Sequence, residues 1–155
     1  MSGGVRVIAL GSRTACDDEA GLLAAERMQS RAEVVLAGRP GPGLLDLLEA
    51  DRPTVLVDVI AAGLPAGEVL EVPLSQLPDA AIAGRPVSSH GLGPGESLRL
   101  ARTLGRSLPD GTFVGIQGEC LQPGQGMSAP VTAALPRLVA ALESAITRLE
   151  EPSDA

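Results

Sequence analysis

Lysine is absent from the 155 residues, and so are tryptophan and tyrosine. Without lysine there is no Schiff-base amine and no P-loop lysine. Phe113 is the one aromatic residue, so stacking of bases or sugar rings has no platform. All 12 basic residues are Arg, and 19 acids leave a net charge of −7. Such a surface does not release the counterions of a nucleic-acid backbone, and nucleic acid is not expected as a partner. The two cysteines, Cys16 and Cys120, form no CxxC pair. Two thiols in a chain of this size need no disulfide, which points to a reducing, cytoplasmic setting. The opening MSGGVRVIAL lacks the layout of a secretory signal, and no apolar run reads as a membrane span. The expectation is a soluble monomer without a membrane partner.

What is present is globular: 45% hydrophobic and 20% charged residues. The length suits a single domain over residues 1–155, with a polar tail, EEPSDA, from about residue 150. VRVIAL (5–10), AEVVLAG (32–38) and TVLVDVI (54–60) are short β-branched runs and predict buried parallel strands. EVLEVPL (68–74) alternates and contains Pro73, which predicts an edge strand or a strand end. TFVGIQG (112–118) predicts the last strand. Helical spacing is read over 18–29, 43–50, 94–104 and 130–149, with Pro136 expected to kink the last helix or to mark its true start. Alternating strands and helices predict a three-layer α/β/α sandwich around a mostly parallel sheet of about five strands. In such sheets ligands bind beyond the carboxyl ends of the strands. That rule directs attention to the loops after Leu10, Asp58 and Gln117.

Three acids, Asp17, Asp18 and Glu19, follow the first strand within a few residues. Acids cap helices, so part of this run has an ordinary explanation. Asp58 follows the apolar VLV, at the crevice position of the architecture. His90 is the single histidine and lies in the polar loop PVSSHGLGPGES. Asp18, Asp58 and His90 together offer two carboxylates and one imidazole, a ligand set suited to a divalent first-row metal. Three side chains leave coordination positions open. Other chemistries are weaker. GxSxG is absent, and Ser88 and Ser89 adjoin His90 directly in sequence. Cys16 precedes acids whose charge raises a thiol pKa. Cys120 reads as a small half-buried hydrophobe. GSRTAC lacks GxGxxG.

Four blocks occur in order: VIALG with DDEAGLLAAERM, then VLVDVIAAGLPAGEV, then SSHGLGPGESLRLARTLG, then FVGIQGECLQPGQGMSAPVTAALPRLV. From beginning to end the chain resembles the [NiFe]-hydrogenase maturation proteases. These endopeptidases remove a C-terminal extension from the hydrogenase large subunit after nickel insertion. The resemblance implies that function here, with the large-subunit precursor as partner and nickel supplied by that precursor, so that the isolated protein purifies largely metal-free. The family's metal ligands map onto Asp18, Asp58 and His90, which would then serve as both the catalytic and the metal-contacting set. Two departures stand out: the first loop reads GSRTAC where the family has a GxGN-type start, and Glu19 stands where a glycine usually follows the acids. Shifting the alignment by one residue promotes Asp17 or Glu19 in place of Asp18. A non-catalytic module that inspects the large subunit without cutting it is the alternative function.

Overall fold

The computed structural model describes residues 4–79, 93–120, 122–124 and 126–151. Its centre is a five-stranded sheet in the order β2-β1-β3-β5-β4. The strands are β1 (Arg6–Leu10), β2 (Glu33–Gly38), β3 (Thr54–Ile60), β4 (Val69–Pro73) and β5 (Gly111–Gln117). β1 pairs in parallel with β2 and β3, and β3 with β5, whereas β4 runs antiparallel to β5 at the edge. Pro73 is the last residue of that edge strand, where a missing N–H costs no ladder bond.

Alternation divides the core. Val7, Ala9, Val55, Val57, Val59, Val114 and Ile116 face one side, against α1 (Ala20–Glu26) and α3 (Ala129–Glu150). Ile8, Leu10, Leu56, Ile60 and Phe113 face the other, against α2 (Pro94–Thr103) and two 3-10 segments, Gly41–Leu47 and Leu74–Asp79. β3 is buried at every position because it has strands on both edges and helices over both faces.

Several expectations change. β2 lies at the other edge of the sheet and is half-exposed along its length, so its apolar run is not a buried strand. The segment read as a helix over 43–50 is the 3-10 stretch Gly41–Leu47, since the GPG sequence with Gly41 at φ 58° does not support a regular helix start. α3 begins before Pro136 and continues through it, so Pro136 is not its true start. α3 is also long and apolar enough to span a bilayer by length and composition, contrary to the expectation that no run reaches that size. Its stripe Val131, Ala134, Leu138, Leu142 and Ile146 is instead fully buried in the sheet's core.

Candidate active site

β1 leads through α1 to β2 on one side, and β3 leads towards β5 on the other. The order of the strands therefore reverses between β1 and β3, and beyond the carboxyl ends of such a pair is where ligands bind in sheets of this kind. Gly11 leaves β1 at φ 135°, and its Cβ position is occupied by the backbone carbonyl of Asp18. Only glycine lets the acidic turn fold back this closely. Gly21 plays a similar part inside α1: an added Cβ would meet the carbonyl oxygens of Leu10 and Val57 at 3.3 and 3.4 Å. The helix is thus held tight over the strands that supply the site.

The three neighbouring acids of the 3-10 turn Cys16–Glu19 have separate partners. Asp17 is fully buried. Its carboxylate accepts from the N–H groups of Glu119 (2.8 Å), Cys120 (2.9 Å) and Ser128 (2.6 Å), and from the Ser128 hydroxyl (2.9 Å). Burial pushes this carboxyl up, but the backbone donors and the hydroxyl outweigh it and hold it below the ordinary value. Glu19 is drawn outward to Arg13, at 3.4 Å. Asp18 is 4% exposed and receives two bonds on Oδ2 from Arg39, from Nε at 3.1 Å and Nη2 at 2.5 Å.

Asp58 lies inside β3, which runs on through Val59 and Ile60, so the loop beyond that strand begins after Ile60 and not after Asp58. Its side chain alternates with Val57 and Val59 and therefore lies on the Leu56 and Ile60 face, which α2 covers. Across the β3–β5 ladder it stands opposite Gly115, so β5 sends no side chain over it. Oδ1 accepts from the N–H of Val59 at 2.8 Å. The carboxyl is held well above the ordinary range, first by burial and then by the charge of Asp18; the Val59 bond and Arg39 act in the opposite sense. Asp18 and Asp58 are thus within Coulombic reach of each other. His90, with Ser88 and Ser89, lies outside the described residues. Among the described residues no group of three or more His, Cys, Asp or Glu side chains is arranged to hold a metal ion.

The third loop is built by Gln117. Its Oε1 accepts from Ala62 (2.8 Å) and Leu64 (3.3 Å), and its Nε2 donates to Gly118 (2.9 Å), which ties the end of β5 to the loop after β3. The cysteines also differ from expectation. Cys16 and Cys120 are joined in a disulfide, with Cα atoms 5.6 Å apart. Free thiols therefore no longer argue for a reducing setting.

The family model of the hydrogenase maturation proteases matches residues 21–145. The chain belongs to the hydrogenase maturation proteases. No individually curated protein matches it. Solved structures show the same fold. The hydrogenase maturating endopeptidase HybD from E. coli is similar at 23% identity, over 94% of this chain and 93% of that one, with a TM-score of 0.78. The [NiFe] hydrogenase maturation protease HybD from Thermococcus kodakarensis is 21% identical over 91% and 97% of the two chains, with a TM-score of 0.62. HycI from the same organism is 21% identical over 94% and 93%, again at 0.62.

The partners of Arg39, Gln117 and Asp17 are not evident in the sequence. Arg39 was open to discovery, because it directly follows Gly38 at the carboxyl end of a parallel strand. The bonds of Gln117 and Asp17 join segments far apart in sequence and carry no local signal.

Proposed function

We propose that this endopeptidase removes the C-terminal extension of a [NiFe]-hydrogenase large-subunit precursor, and that nickel already inserted in the precursor is its recognition element. The observation that carries the proposal is the burial of two carboxylates, Asp18 in the turn after β1 and Asp58 in β3, on the neighbouring strands where the sheet's order reverses. Repelling buried carboxylates favour a cation brought between them. A cation there also favours the ionised form of Asp58, against the burial that disfavours it. In this reading His90 completes the set, and Asp18, Asp58 and His90 contact the precursor's metal and so align the scissile peptide beside it.

One observation supports a second reading. The Asp18 carboxylate is already paired with Arg39, which would suit a module that inspects the large subunit without cutting it. Incubation of purified protein with nickel-loaded precursor separates the two. A precursor mass loss equal to the tail, abolished in Asp58→Asn and in His90→Ala, supports the protease reading. Stable complex formation without mass loss supports the module. Full cleavage by either variant overturns metal recognition by this trio.

A further inference from the structure

Arg39 carries an inference that rests on the proposed cation site and goes beyond it. Its Nε and Nη2 both donate to Oδ2 of Asp18, at 3.1 and 2.5 Å. The Asp18 side chain is 6% exposed and that of Arg39 is 33% exposed. The acid is fixed and the guanidinium has an open side. The backbone beneath Arg39 is fixed as well: Gly38, at φ 67°, accepts on its carbonyl the N–H of Gly11 at 2.9 Å. The start of the turn and the base of the arginine are therefore joined, and of the ion pair the Arg39 side chain is the more exposed partner.

We propose that Arg39 is a built-in stand-in for the substrate's cation, a positioning residue that holds Asp18 in place and must be displaced when the precursor's metal arrives. A guanidinium has five donors and no acceptor, so it cannot itself ligate a metal. It also keeps its charge at every working pH. Arg39 and a divalent cation at Asp18 therefore repel each other and compete for the same oxygen. A free ion at low concentration pays the full cost of that displacement and is rejected. A metal carried by a docked precursor arrives at high effective concentration and can displace the arginine. Arg39 thereby makes the site selective for a delivered cation, and keeps the isolated protein empty.

The test is calorimetric titration of nickel chloride into the wild type, Arg39→Gln, Arg39→Lys, Asp18→Asn and the Arg39→Gln/Asp18→Asn pair, with thermal melting to confirm folding. Arg39→Gln retains a donor for Asp18 without the charge, and Arg39→Lys retains the charge without the fork. Nickel should bind Arg39→Gln roughly tenfold more tightly than the wild type. Arg39→Lys should bind as weakly as the wild type, and Asp18→Asn should erase the gain. A purely structural arginine would not divide Gln from Lys in this way. Affinity unchanged or lowered in Arg39→Gln, or raised equally in Arg39→Lys, overturns the inference. So does a gain that survives Asp18→Asn. Cleavage assays keep the two levels apart: if Asp18→Asn abolishes precursor cleavage while Arg39→Gln gains no affinity, only the stand-in role fails. If Asp18→Asn cleaves normally, the cation site itself fails.

Discussion

Asp17 and Ser128 stand 111 residues apart and meet through two hydrogen bonds, one from the Ser128 N–H and one from its hydroxyl. Ser128 is the N-cap residue of α3. The carboxylate therefore sits at the positive end of the longest helix and accepts from the N–H of the N-cap residue, while the Ser128 hydroxyl donates to Asp17 and makes no cap bond of its own. The same carboxylate binds the segment after β5, while the N–H of Asp17 donates to the carbonyl of Cys120 at 3.0 Å. One buried acid thus fastens the acidic turn, the end of the sheet and the start of α3 together.

Replacing Asp17 by Ala leaves three backbone donors without their acceptor. The expected cost is about 2 to 4 kcal/mol, a fall in Tm of roughly 5 to 15 °C for a chain of this size. The pH dependence has a definite sign. The folded carboxyl lies below its unfolded value of about 3.9, so its contribution is complete above that pH and lost as pH falls through the folded value. Melting curves of wild type and Asp17→Asn should therefore be well separated at pH 7 and converge at strongly acid pH. A constant gap would show that the carboxylate's charge is not what binds the three segments.

Asp58 has the opposite sign. Its folded carboxyl is raised, so above about pH 3.9 the unfolded chain binds fewer protons than the folded one, and stability falls as pH rises towards the folded value. Asn at this position keeps an oxygen for the Val59 N–H and removes the charge. Asp58→Asn should melt higher than the wild type at neutral pH, by a margin that shrinks as the pH approaches 4, and should not process precursor. Stability given up for a functional carboxylate is the expected pattern at a site. A lower Tm at pH 7 in Asp58→Asn would place the residue in the structural framework instead.

Gly11→Ala tests the geometry of the turn. The substitution forces φ 135° on a residue with a Cβ and drives that Cβ into the Asp18 carbonyl. The acidic turn must shift to accommodate it. The expectation is a stability loss of about 1 to 3 kcal/mol together with a fall in cleavage larger than the unfolded fraction explains. Far-ultraviolet circular dichroism beside the cleavage rate checks this, and an unaltered rate in a folded variant would mean that Asp18 does not depend on the turn.

The fold was legible where periodicity and burial agree. β3 and β5 read as strands because β-branched apolar residues fill them, and Pro73 was recognised at a strand's end because it cannot donate. Asp58 was singled out by its position after VLV, and its burial in β3 agrees with that placement. β2 misled because Val34, Val35 and Leu36 are apolar, yet the strand has a neighbour on one side only. Edge placement is a property of the sheet, not of the segment. The position of Arg39 after a strand could be read from the sequence, but its pairing with Asp18, like that of Asp17 with Ser128, could not: each is a meeting of loops at one end of the sheet, fixed by strand order.

The Cys16–Cys120 bridge gives the last prediction. It closes a loop across a separation of 104 residues, joining the turn after β1 to the segment after β5. Cross-linking a loop of that length restricts the unfolded chain, and removing such a bridge costs about 2 to 4 kcal/mol. The folded turn has other anchors: Asp17 binds Glu119 and Cys120 directly, and the N–H of Gly124 donates to the Thr14 carbonyl at 3.0 Å. Reduction should therefore act on stability much more than on the shape of the site. Dithiothreitol should lower the wild-type Tm by roughly 5 to 15 °C, and the Cys16→Ser/Cys120→Ser pair should melt at that lower temperature whether or not reductant is present. Cleavage at 25 °C should persist in both. A wild-type Tm indifferent to dithiothreitol would show that the thiols are not joined in solution. Loss of cleavage in a still-folded reduced protein would show that the bridge, and not the Asp17 network, holds the acidic turn in its working position.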